Sequence, residues 1–155
     1  MNDDAGMERR LVVRLLSYWR DIGGGLGHVP AREDELPDRV GEDWDWCFLL
    51  DCRANCFDPS VQFVGDGLIS EFSDDPTALA VSQIDFSKLL GKAARRHRVA
   101  VDRKLPVVLS GSYGISYGRV VLYRGILLPL REAEGSFDYL LGAASMLVKE
   151  SRVDA

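Results

Sequence analysis

The side chains best suited to chemistry in this chain are His97, inside the basic run Arg95, Arg96 and Arg98, and three cysteines, Cys47, Cys52 and Cys56. An imidazole at position 97 could ligate a metal or a haem iron, given an apolar cavity for the group and an acceptor to hold the ring. The arginines on both sides argue against such a cavity. They favour a solvated or half-buried structural histidine, at the surface or towards the C-terminal end of a helix, where cations complement the helix dipole. No cofactor is therefore expected. With Lys92, Arg103 and Lys104, the arginines form a basic cluster on a chain of net charge −5. Such a cluster is a solvated helix face or a docking patch for an acidic partner or a phosphorylated ligand. It has neither interleaved aromatics nor a recognised motif, so nucleic acid is not an expected partner.

The cysteines contain no Cys-x-x-Cys pair, and Cys47 and Cys52 fall on opposite faces of an expected strand. One zinc ion could not take both, and His28 is distant in sequence, so no metal site is expected. Two inert buried thiols and one exposed loop thiol, Cys56, fit the pattern; Cys56 would then be the most reactive. The run Ser110-Gly111-Ser112-Tyr113-Gly114 does not lead from a strand into a helix, as a phosphate cradle must. A bulge or sharp bend is expected there. Tyr113, Tyr123 and Arg124 could line a small-molecule pocket between a sheet and its helices, with Trp46, Phe48, Leu90 and Leu109 as its apolar wall. Tyr123 and Arg124 are strand neighbours, so at most one of them faces that pocket. No nucleophile stands beside a base at a known spacing, and no nucleotide-binding loop is present, so catalysis is not expected.

The elements that must position these residues are readable in outline. Glu8 to Ile22 has a helical apolar stripe of Leu11, Val12, Leu15, Leu16, Trp19 and Ile22, ended by Gly23-Gly24-Gly25. The stripe either packs on the domain's own sheet or, with Leu11, Leu15, Tyr18, Trp19 and Ile22, forms a dimer surface; amphipathicity alone does not decide. Trp44 to Cys52 alternates as a first strand with Trp44, Trp46, Phe48, Leu50 and Cys52 on the expected core face. A turn over 53–59 leads into a second strand, Ser60 to Val64. Short helices are expected at Leu68–Phe72 and Thr77–Val81. Asp85 reads as the cap of a longer helix from Phe86 to Val101, with Phe86, Leu89, Leu90, Ala93, Ala94 and His97 on its apolar side. Three runs, Pro106–Ile115, Gly118–Leu130 and Phe137–Leu147, follow with breaks too short for anything but antiparallel neighbours.

The order predicts an α+β fold, a five-stranded antiparallel sheet with helices on one face and an extra N-terminal helix. One domain over residues 8–148 is expected, with a disordered 1–7 and a tail at 149–155. At 155 residues, 46% hydrophobic and 28% charged, the chain can bury a core of ordinary size. No apolar run reaches membrane-spanning length, and MNDDAGMERR precedes no signal-peptide core. Together with an odd number of cysteines, this points to a cytoplasmic protein.

Several stretches together resemble a bacterial PAS subfamily of small stand-alone proteins, common in alphaproteobacteria. They are Leu16 and Trp19, Phe48-Leu49-Leu50-Asp51, Phe63-Val64-Gly65-Asp66-Gly67-Leu68, Tyr123-Arg124-Gly125-Ile126-Leu127-Leu128-Pro129-Leu130, Gly135, and Leu140-Leu141-Gly142-Ala143. The resemblance covers roughly residues 8–147. It implies a PAS fold and a sensor or interaction module, with a homodimer through the N-terminal helix, a regulatory partner protein, and cell-cycle, motility or stress control as the setting. A small-molecule sensor is the alternative. Haem-binding PAS sensors take their ligand from the helix equivalent to that of His97, so the resemblance makes that residue the one candidate haem ligand.

Overall fold

A computed structural model gives the fold and describes residues 3–132 and 137–150. Residues 1–2, Gly135 and 151–155, which the expected N-terminus, resemblance and tail include, lie outside the described residues. Helix α1 (Asp3–Asp21) and helix α2 (Leu36–Val40) come first; a 3-10 turn over Gly41–Trp46 then leads into β1 (Cys47–Asp51). Strand β2 (Ser60–Val64), helix α3 (Asp66–Ile69), helix α4 (Leu89–Ala94) and helix α5 (His97–Arg103) follow. The meander β3 (Val107–Ile115), β4 (Arg119–Leu130) and β5 (Tyr139–Glu150) closes the described chain. The strands form one sheet in the order β2-β1-β5-β4-β3, antiparallel throughout. The expected five-stranded α+β architecture is therefore present.

Both faces of the sheet are covered. Phe48, Leu50, Leu109, Leu127, Leu140 and Ala144 pack under α3, α4 and α5. Cys47, Leu49, Ile126, Leu128, Leu141 and Ala143 pack against Leu11, Leu15 and Trp19 of α1. Because both faces are buried, both parities of the central strands are apolar, and the core face expected for β1, with Phe48 and Leu50, is one of two. The β1–β2 ladder shifts register between Leu49 and Leu50. The irregularity places both Val61 and Val64 on the side of α3–α5, and Phe63 on the α1 side. Glycine makes the closest strand approach possible: Gly142 lies opposite Phe48, and a Cβ there would overlap the Phe48 ring.

Several expectations need correction. Helix α1 starts at Asp3, so residues 3–7 are helical rather than disordered, and β5 continues to Glu150, inside the expected tail. Trp44 and Trp46 precede β1 instead of lying on it. The 3-10 turn frees Trp44 to stack on Phe63, with centroids 4.5 Å apart. Residues 77–81 are not helical: Ala80 bridges to Ser60 along the outer edge of β2 and a 3-10 turn begins at Val81. The glycine-rich run contains no bulge, since β3 and β4 pair in unbroken register from Val107–Leu127 to Ile115–Arg119. Gly111 instead clears space for the Tyr123 side chain directly opposite, whose hydroxyl would lie 2.5 Å from any Cβ at 111.

The expected helix from Phe86 to Val101 is two helices. Asp85 accepts the Ser87 N–H and closes a turn, so it caps no helix. Helix α4 begins at Leu89, whose N–H donates to Glu71 at 3.1 Å. The break at Arg95-Arg96 goes with the contacts of the next residue, His97. The His97 ring takes up the Ala94 carbonyl, its Nδ1 3.0 Å away, and competes with the helical ladder for that acceptor.

Candidate functional site

The candidate site is the corner where the α4–α5 break meets the β1–β2 turn. His97 is 8% exposed and opens α5. It is a buried residue on a first helical turn, where a solvated or half-buried residue near a helix C-terminus was expected. Its Nε2 lies 2.9 Å from the Phe57 carbonyl, so the ring bridges two backbone oxygens, Ala94 and Phe57. Carbonyl oxygens only accept. Both bonds hold at once in the doubly protonated ring, and one in either neutral tautomer. A haem iron at this nitrogen would have to displace the Phe57 carbonyl.

The turn that His97 grips is held from two further sides. Asn55 Oδ1 accepts the N–H groups of Phe57 and Asp58 at 2.9 and 3.3 Å. The Asp58 carboxylate accepts the Ser82 hydroxyl at 2.6 Å and the Ser82 N–H at 2.9 Å, which holds its pKa below the usual carboxylate range. From this frame the Phe57 ring projects outward, 70% exposed, with the Arg98 guanidinium 5.8 Å from its centroid. On the other side of the break Phe86 is 42% exposed beneath Arg95, at 4.8 Å. Arg95, Arg96 and Arg98 are all exposed. Arg14, Arg39 and Arg53 each meet a carboxylate elsewhere on the molecule. Among the described residues, Arg95, Arg96 and Arg98 have no carboxylate within 4.0 Å.

The expected pocket residues are spread over three environments. Phe48, Leu90 and Leu109 are closed into the core on the helical face. Trp46 is half-buried in the 3-10 turn, beside Gly67. Tyr113 and Tyr123 share the helical face, with ring centroids 6.0 Å apart and Lys92 Nζ 5.2 Å above the Tyr113 ring. Burial and the nearby Glu71 push the Tyr113 hydroxyl up to about 12. Burial likewise raises Glu71. Arg124, which shares strand parity with Ile126 and Leu128, belongs to the α1 face, away from the tyrosines. A cleft of about 370 Å³ opens nearby, between Glu71, Pro76, Leu79, Ile84 and Lys88.

The helical stripe is spoken for within the domain. Leu11, Leu15 and Trp19 are buried on the sheet, and the Trp19 indole N–H donates to the Pro129 carbonyl at 2.8 Å. Tyr18 donates to Glu33 at 2.7 Å and lies under Arg39. Ile22 is half-buried at the helix end. These residues do not present a free dimer surface. The cysteines differ from expectation in one respect: Cys56 is half-buried rather than exposed, its thiol 3.2 Å from the Cys52 carbonyl. Burial pushes Cys52 up to about 12 and raises Cys47 further. Among the described residues no group of three His, Cys, Asp or Glu side chains comes together as a metal site.

The basic run was legible in sequence, but its aromatic members were not. Phe86 read as core, and Phe57 is brought beside Arg98 only by the fold. The asparagine two residues before Phe57 is the one local hint that the turn is ordered.

The described chain is thus a five-stranded antiparallel sheet with short helices across one face and an N-terminal helix on the other. The chain matches the PAS domain family over residues 7–145, and it belongs to that family. No curated protein matches it. The family is generally sensory rather than catalytic. No helix among the described residues is long and apolar enough to cross a membrane.

Proposed function

We propose that this PAS domain regulates by binding a partner protein, without catalysis and without a bound haem. The observation that carries this reading is the closed interior beside an open, charged corner. Phe48, Leu89, Leu90, Leu127 and Leu140 are wholly buried between the sheet and the helices, where a sensory ligand would sit. The unneutralised arginines at the α4–α5 break stay outside. The resemblance to bacterial stand-alone relatives supports a role in cell-cycle, motility or stress signalling, and three free thiols favour a reducing cytoplasm. A homodimer through α1 would use the helix's outer face, where Val13 is 60% exposed, since the inner stripe is occupied.

A second reading, a small-molecule sensor, is favoured by the half-buried Glu71, Tyr113, Tyr123 and Lys92 beside the open cleft. Native mass spectrometry and an ultraviolet–visible spectrum of one purified sample separate the two. Bare chain mass, as monomer or dimer, with no absorption beyond the protein band supports partner binding. Added mass or a chromophore band overturns it in favour of the sensor.

A further inference from the structure

We infer that the corner formed by Phe57, Phe86, Arg95, Arg96 and Arg98 docks an acidic peptide segment that alternates carboxylates with aromatic side chains. The inference rests on the partner-binding reading above and specifies the partner. Three features of the geometry point to it.

The first is the Phe57 ring. An exposed phenylalanine on a mobile turn has little meaning, but this one is fixed from below. His97 holds its carbonyl, Asn55 its N–H, and Asp58 ties the next residue to Ser82. A ring that is 70% exposed on a backbone already held in place costs no ordering of the turn when it is covered, which suits an anchor residue. The second is the pairing of each ring with a guanidinium, Phe57 with Arg98 and Phe86 with Arg95. A guanidinium stacked on a ring keeps its N–H edge free for a carboxylate while the rest of the ring offers apolar surface. The corner thus presents two ring–guanidinium pairs, each apolar and cationic at once, and the complement of each is an aromatic side chain beside a carboxylate. The third is charge. Among the described residues these three neighbouring exposed arginines have no carboxylate within 4.0 Å, so on a chain of net charge −5 they form a local positive patch complementary to an acidic segment.

The same corner is not uniformly cationic, as a face for an anionic membrane would be. Asp58 and Asp85 adjoin the two phenylalanines in sequence, and Asp102 follows Arg98 by one helical turn. A flat anionic surface pressed on the arginines would meet these carboxylates as well. The carboxylates of a peptide, unlike a continuous anionic surface, can be spaced to avoid them.

The test uses the full chain and three probes: a fluorescein-labelled peptide alternating Asp-Glu pairs with Phe, its Phe→Ser counterpart, and vesicles of phosphatidylcholine with phosphatidylglycerol. Fluorescence anisotropy reads peptide binding and cosedimentation reads vesicle binding. The aromatic acidic peptide should bind, and more weakly as salt rises. Its serine counterpart should lose about tenfold, a difference of about 1.4 kcal/mol. Phe57→Ser in the protein should lose a similar factor, and the triple variant Arg95→Glu, Arg96→Glu, Arg98→Glu should abolish binding. All these positions are exposed, and circular dichroism confirms that the variants fold. Absence of peptide binding overturns the proposal, as does equal binding of both peptides, indifference to the triple reversal, or vesicle binding alone. Failure of the peptide with bare chain mass in the spectrometer removes this inference and leaves partner binding standing. Added mass removes partner binding itself.

Discussion

Replacing Trp19 probes whether α1 belongs to the domain or is a detachable arm. The indole is buried against the sheet and its N–H donates to the Pro129 carbonyl at 2.8 Å. Gly24, just past the helix, leaves the ring its space, because any Cβ there would overlap it. Trp19→Phe keeps an aromatic ring but removes the donor and part of the volume. A buried acceptor left without its partner costs about 1–3 kcal/mol. Trp19→Ala removes the ring as well and costs about 3–5 kcal/mol, as large-to-small core changes do. Leu11→Ala and Leu15→Ala, buried on the same face, should each cost about 2–5 kcal/mol. Against a domain stability of about 5–15 kcal/mol, removing residues 1–22 would then unfold the sheet rather than merely separate a dimer. Urea denaturation followed by circular dichroism measures each variant, with an unchanged slope confirming that the native state is intact. Values within about 0.5 kcal/mol of wild type for both tryptophan variants, the size of an ordinary surface change, would refute the docking of α1.

Two further outcomes are expected. Gly142→Ala should destabilise by about 1–3 kcal/mol because the new methyl overlaps Phe48 across the β1–β5 pair; adding Phe48→Leu should recover part of the loss, and a double-mutant cycle without coupling would deny the contact. The Asp58 carboxylate is held below its ordinary pKa first by the Ser82 hydroxyl and then by the Ser82 N–H. A depressed carboxylate contributes stability above its unfolded pKa of about 4 and loses it as pH falls through the folded value. Ser82→Ala should therefore melt lower than wild type at neutral pH, with the gap closing below about pH 4; a gap that stays constant with pH would exclude this linkage.

What could be read from the chain alone depended on whether the causes were local. Strand β2 is legible at its observed bounds, Ser60–Val64, because turn residues punctuate both ends. The meander strands were recognised because short breaks leave one way to pair. Three features were not legible. The alternation rule assumes one wet sheet face, so a β1 buried on both sides through Cys47–Leu49 and Phe48–Leu50 misled it. The amphipathic stripe of α1 named an apolar face without naming what covers it. The helix expected from Phe86 to Val101 breaks because His97 turns back to Ala94 and reaches across to Phe57; a contact forty positions away in the chain leaves no periodic trace. The same long-range contact creates the candidate site, which is why its arginines could be named beforehand and its phenylalanines could not.

The central claim is that α1 is structural and leaves the α4–α5 corner as the surface for partners. Amide hydrogen exchange of the full chain, followed across protein concentration, tests it most directly. The account predicts that amides from Leu11 to Asp21 are protected as strongly as those of β4 and β5, at every concentration. Protection of α1 that is weak in dilute protein and rises in step with dimer formation would contradict it, and would return the helix to the role of an interface.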